Sequence, residues 1–254
     1  MAITSGAVFA LGLKFMGTQN QKAASLMQKI SEKWLSLTEE CHEDLMSSAL
    51  IHHCIGTVVL AWSMVKAGSG DVDCLRMCRK LSKILPEEVN FGLHLATCQA
   101  TGFLFLGGCK MSLKRDYDSI ATMFVALMPK YPSTIHDNSQ YVWILRHLAA
   151  LCVEFRACIP QMNDGYICRE ASATVLYQNG QQEIVNMPGV LPPIDQVDTV
   201  TFRGSVGSYK CLPLVLRPEQ IRQAFSNEGK VLMKRECEAD LIDLLKEEVN
   251  FLFS

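Results

Sequence analysis

At 254 residues, with 49% of them hydrophobic and 20% charged, the chain carries enough apolar surface for one large domain or two ordinary ones, which excludes a disordered polypeptide. The formal net charge is −2, with 14 Lys+Arg against 12 Asp+Glu in residues 1–150 and 10 against 14 in the remainder, so no nucleic-acid partner is expected of either part. The apolar run from Cys54 to Val65 falls short of the roughly 20 residues a membrane span needs, and no membrane partner is expected either.

Eleven cysteines would suit a disulfide framework or an intracellular chain using thiols as small apolar residues. The odd total, and the placing of Cys54, Cys98, Cys109 and Cys152 in apolar helical runs, favour free thiols in a reducing compartment. Met1 leads into Ala-Ile-Thr-Ser-Gly without a basic segment, so no signal peptide is expected. The apolar opening from Gly6 to Gly12 reads as a chain entered in the middle of a domain.

From the N-terminus, one pattern occurs three times: an Ala, a small residue two places on, and a Gly five places after that. The copies are Ala10, Gly12, Gly17; Ala61, Ser63, Gly68; and Ala100, Gly102, Gly107, at offsets of 51 and 39 residues. Each reads as a small-residue-rich apolar helix ending at the Gly, then an amphipathic helix. The second helices are expected at Gln19 to Leu37, at Asp71 to Leu85 stopped by Pro86, and at Asp116 to Met128 stopped by Pro129. Gly17, Gly68 and Gly107 fit left-handed caps, where a Cβ would clash. Gly within a helix costs about 1 kcal/mol relative to Ala, so Gly12, Gly56 and Gly102 imply close approach of neighbouring helices. The nearly all-apolar segment from Gly92 to Leu106 is expected to be an inner helix covered on most sides.

After Pro160 the period changes from helical to alternating. Strands are expected at Tyr166 to Tyr177, Gln182 to Met187, Val197 to Arg203, Tyr209 to Leu216 and Val231 to Lys234. Asn179-Gly180 marks a hairpin, Pro218 opens a helix, and Glu238 to Leu252 is an amphipathic helix. The whole is α+β.

The Ala-Leu-Gly12-Leu-x-Phe-x-Gly17-Thr18 unit resembles the proteasome/cyclosome repeat. The stretches Met64–Asp71, Leu75–Leu81, Val89–His94, Gly102–Gly108 and Leu145–Leu148 together are similar to the cyclosome branch of that family, the large scaffold subunits of the anaphase-promoting complex. The resemblance covers residues 1 to about 158; beyond that the order of short strands is similar but few residues match. It implies helical hairpins forming part of a toroid over residues 1–158, then a β-rich domain with a C-terminal helix over residues 159–254. It further implies a non-catalytic role in a multi-subunit ubiquitin ligase, without cofactor or metal, whose partners are the other subunits, in nucleus and cytoplasm. A scaffold of the proteasome regulatory particle is the alternative within the family, and would show more regular copies of the repeat.

Candidate sites are few. His52, His53 and Cys54 with His94, or Cys74 with Cys78 one helical turn apart, lack the four-ligand pattern of a zinc site. Cys54 with His94 is the pairing an enzyme would use. Gly204-Ser205-Val206-Gly207 lacks the first Gly of a nucleophile elbow and reads as a flexible connection between strands. Gly68-Ser69-Gly70 lacks the Lys-Ser/Thr of a phosphate loop. The basic run Arg76, Arg79, Lys80, Lys83 lies at helical spacing on an outer helix, either as a solvated face or as a docking surface for an acidic partner segment. The loop from Tyr131 to Ser139 is a second exposed candidate. Cutting a repeat stack leaves apolar ends, so self-association is expected of the isolated chain.

Overall fold

The computed structural model describes residues 1–40, 45–83, 91–128, 141–206 and 209–236. The expected loop at Tyr131 to Ser139, the helix at Glu238 to Leu252 and the stops at Pro86 and Pro129 lie outside the described residues. The chain divides into two compact units, Met1–Glu154 and Phe155–Ser254.

In the first unit the apolar helices are α1 (Ala2–Lys14), α3 (Leu45–Val65) and α5 (Phe91–Leu104), and the amphipathic ones are α2 (Gln21–Glu40), α4 (Val72–Leu81) and α6 (Tyr117–Leu127). A short strand, β1 (Met111–Leu113), separates α5 from α6, and a 3-10 helix (Tyr141–Cys152) leads into β2 (Val153–Phe155), which pairs with β1. The apolar helices stack in a row, α1 on α3 and α3 on α5. The α2 helix buries Ala23, Ala24, Met27, Ser31 and Trp34, and α4 buries Cys74, Met77, Cys78 and Leu81; each set forms one helical stripe, so each of these helices covers the row with one face and shows water the other.

The repeat is visible as hydrogen bonding. Gly17 N–H donates to Met64 O (2.8 Å) and Gln19 N–H to Val65 O (3.0 Å); one repeat on, Gly68 N–H donates to Phe103 O (2.9 Å) and Gly70 N–H to Leu104 O (3.0 Å). Donors are shifted by the first offset and acceptors by the second, so each cap is tied to the end of the next apolar helix in the same register. Left-handed backbone recurs with it, at φ 64°, 74° and 54° for Gly17, Gly68 and Gly107, and at 58°, 64° and 62° for Gln19, Gly70 and Cys109. N-caps recur too: the side chains of Asn20, Asp71 and Asp116 accept from the N–H groups of Ala23, Cys74 and Ser119 at 3.0, 2.9 and 2.7 Å.

Close approach holds at two of the three helical glycines. A Cβ on Gly12 would lie 2.8 Å from the Ala61 Cβ and 2.9 Å from the Met64 methyl; one on Gly56 would lie 3.3 Å from Leu93 and 3.4 Å from Ala96. At Gly102 it would meet nothing within 4 Å, which corrects the expectation there. The α5 helix buries Gly92, Leu93, Ala96, Thr97, Ala100, Phe103 and Leu104 and leaves one exposed stripe, His94, Cys98 and Gly102. The register explains both: Gly102 corresponds to Gly12 and Ser63, which face the next apolar helix, and no further helix of the row follows α5 among the described residues. Ala61 and Ala100 are fully buried, whereas Ala10 is exposed, because it lies on the side of α1 away from α3.

Among the described residues the second unit holds two sheets. In one, β3 (Ala157–Gln161) lies between β10 (Lys230–Leu232), parallel to it, and β6 (Gly189–Val190), antiparallel. In the other the order is β5 (Gln182–Met187), β4 (Arg169–Tyr177), β7 (Val197–Val206), β8 (Tyr209–Lys210), all antiparallel, with β9 (Leu214–Leu216) also on β7. The hairpin loop between β4 and β5 is Gln178–Gly180, closed by Tyr177 N–H to Gln181 O at 2.9 Å, with Gly180 at φ 79° as a three-residue loop requires. Of the expected flexible connection at residues 204–207, Gly204 to Val206 are instead strand and Gly207 lies outside the described residues; a Cβ on Gly204 would sit 3.2 Å from that of Ala171. The expected strand at Tyr209 to Leu216 is split into β8 and β9. Pro218 is the first residue of α7 (Pro218–Ser226), and Gln220 Oε1 accepts from Arg217 N–H at 2.9 Å. Phe202, Val175, Ala173, Cys158 and Ile221 form the buried centre of this unit.

Candidate docking groove on the outer helices

The four cations singled out in the sequence come together on the exposed face of α4 and its C-terminal turn. With Gln28 and Glu32 of α2 they line a groove of about 310 Å³. Arg76, Arg79, Lys80 and Lys83 are separated by three, four and seven residues, so they form a four-cornered patch on one side of the helix. Arg76 Nη1 is 2.8 Å from Asp73 Oδ1, both well exposed, a pairing worth at most about 1 kcal/mol. Glu32 Oε1 accepts from Gln28 Nε2, one turn earlier on the same helix, at 3.0 Å. Arg79, Lys80 and Lys83 have no ion-pair partner among the described residues. The buried Met77, 3% exposed, adjoins the groove from below.

The contribution of Gln28 and Glu32 was not legible from the cationic spacing, since they come from a helix some fifty residues earlier. Only the repeat offset of 51, which lays α2 beside α4, could have pointed to them.

Lys66, at the end of α3, is the one buried lysine among the described residues. Its ammonium donates to Gln21 Oε1 at 2.8 Å and lies 3.7 Å from Asp71 Oδ2, joining the starts of α2 and α4.

The residues an enzyme or metal reading would use are dispersed. Cys54 is 1% exposed within α3, and His94 meets Cys98 instead, with Nε2 3.7 Å from Sγ on the open face of α5. Neither side chain is held by a third group among the described residues. His52 is buried and its neighbour His53 half-buried, as adjacent helical positions require. The hydrogen bond the Cys74 thiol donates to Cys78, then burial, raise Cys74 far above the usual thiol range, so it stays protonated. In the second unit Cys168 and Cys211 bring their sulfurs within 3.9 Å; burial, then the neighbouring thiol, pushes Cys168 up to about 12. All nine described cysteines are free thiols. Among the described residues no group of three or more His, Cys, Asp or Glu is placed to hold a metal ion, and no helix is long and apolar enough to cross a membrane.

Stacked helical hairpins in a shared register, with one charged groove on their outer helices and a β-rich unit after them, define a helical-repeat protein. Residues 1–154 match the family described as the APC1 fifth domain, ending where the first compact unit ends. The chain is 30% identical over 237 residues to the mouse protein named anaphase-promoting complex subunit 1, covering 91% of this chain and 12% of that one. It is 33% identical over 205 residues to the Schizosaccharomyces pombe protein of the same name, covering 80% and 14%. It is 27% identical over 201 residues to the Emericella nidulans protein named negative regulator of mitosis, covering 78% and 10%. The chain therefore belongs to the anaphase-promoting complex subunit 1 family, and spans only about an eighth of the length of the mouse and fission-yeast relatives.

Proposed function

We propose that this chain serves as a non-catalytic scaffold segment of an anaphase-promoting complex, acting in the nucleus and cytoplasm of dividing cells and positioning other subunits of that ubiquitin ligase. The observation that carries this reading is the repeated cap-to-helix hydrogen bonding, Gly17 to Met64 and Gly68 to Phe103, which locks one hairpin to the next. Such a ladder commits the backbone termini of every apolar helix to a neighbour, which suits a rigid support. Family membership supports the assignment to this complex rather than to the proteasome particle.

The stack presents two unlike faces. One offers Ala10 with the carbonyls of Leu13 and Lys14; the other offers Gly102 with the N–H groups of Gly107 and Cys109. These are the same partners that meet inside the stack at Ala61 and Gly12, or Met64 and Gly17. The faces are therefore complementary to each other, and the isolated chain is expected to associate head to tail. Light scattering across a concentration series that gives the monomer mass throughout counts against this.

The membership test is affinity purification of the full-length parent from dividing cells, with identification of what co-purifies. Recovery of ligase subunits is the expected result; recovery of proteasome subunits in their place overturns the assignment.

A further inference from the structure

The groove between α2 and α4 carries an inference about what docks there. Its lining holds four cations against the two carboxylates Glu32 and Asp73. Asp73 is paired with Arg76 and Glu32 accepts from the neutral Gln28, which leaves its charge in place, so the lining keeps a net excess of two positive charges, carried by Arg79, Lys80 and Lys83 within one turn of helix. The C-terminal end of a helix favours cations on its own account, and that suffices to explain one or two of them as a solvated face. It does not explain why three unmatched cations border a concavity of about 310 Å³ beside an apolar Met77.

The size and balance of the patch select the partner. From Arg76 to Lys83 the patch runs about 10 Å at 1.5 Å per residue, the reach of three or four residues of extended peptide. A nucleic-acid backbone tracks a longer basic stripe, and here it would meet Glu32 and Asp73 in the lining and a net charge of −2 on the chain. A short run of carboxylates fits, because it can pair with Arg79, Lys80 and Lys83, whose charge exceeds that of Glu32 in the same lining.

We propose that this groove seats a short acidic peptide segment of another polypeptide, held by Arg79, Lys80 and Lys83. The inference rests on the scaffold reading in treating the groove as a docking surface, and it fails separately, because co-purification of the parent tests membership in the complex whereas a peptide titration tests the groove.

The titration uses the whole 254-residue chain and a short fluorescent peptide rich in Glu and Asp, followed by anisotropy. The Glu/Asp peptide is expected to bind saturably, less tightly as salt is added, and its Gln/Asn counterpart not to bind. Reversing two charges in Lys80→Glu with Lys83→Glu is expected to weaken binding by about tenfold or more. The neutral pair Lys80→Gln with Lys83→Gln is expected to weaken it less, and Lys29→Glu, exposed on α2 outside the groove, to stay within about twofold of the parent. Circular dichroism on each variant secures the fold, and the neutral pair serves if the reversal misfolds. The proposal is overturned if the acidic peptide does not saturate, if the amide counterpart binds equally, if neither charge variant weakens binding, or if a single-stranded oligonucleotide binds as tightly as the peptide.

Discussion

Gly12 and Gly102 hold the same place in the repeat and live in opposite surroundings. Around Gly12 the backbones of α1 and α3 are so close that a single added carbon would press on Ala61 and Met64, whereas around Gly102 the same carbon would stand in open space. The difference teaches that a small residue in a helix has no fixed worth. It is stabilising only where a neighbour uses the room it leaves, and otherwise it costs the helix its ordinary entropy.

The largest expected effect is at the cap between them. Gly68 is held at φ 74° with its missing Cβ directed at the Met111 carbonyl, so Gly68→Ala adds left-handed strain to a backbone clash and should lower unfolding stability by about 3 kcal/mol. A urea midpoint unchanged from the parent would show that the cap does not hold the stack. Gly12→Ala sets overpacking of about 1–3 kcal/mol against a propensity gain of about 1, for a net loss of up to about 2 kcal/mol in the same titration. Removing a repeated N-cap by Asp71→Ala should cost about 1 kcal/mol. At the open face the sign reverses: Gly102→Ala should leave stability unchanged or raise it by up to about 1 kcal/mol, and a loss as large as that of Gly12→Ala would erase the contrast. The smallest effect is chemical. With a mild alkylating agent at pH 8, Cys98 on the open face should react first among the nine described cysteines, while Cys158 and Cys168, each pushed up to about 12 chiefly by burial, should stay protonated and react only on unfolding. Preferential labelling of Cys168 by mass spectrometry would contradict the structure.

Much of the stack was legible because glycine announces itself. The positions of Gly17, Gly68 and Gly107 predict left-handed caps from backbone sterics alone, and the first offset carries over from Asn20 to Asp71 as N-caps, whereas Asp116 falls six residues beyond the second offset because β1 intervenes. The hairpin at Asn179-Gly180 was legible for the same reason. The split of the expected strand at Tyr209 to Leu216, and the inclusion of Gly204 in β7, were not, since alternation marks a strand without fixing which neighbour pairs with it or where pairing stops. Of the candidate groove, the cations of α4 were visible as a helical stripe, but Gln28 and Glu32 were not, because a groove needs two elements and linear spacing describes one.

What the sequence determined is the set of local backbone states: where helices start and stop, which residues must be left-handed, and which faces are apolar. These depend on side chains a few bonds from the backbone they constrain. Which of the equivalent glycines is enclosed, which thiols are shielded, and where the basic stripe becomes a groove were decided only by tertiary packing, because close contact is a property of two surfaces and each surface specifies only its own half.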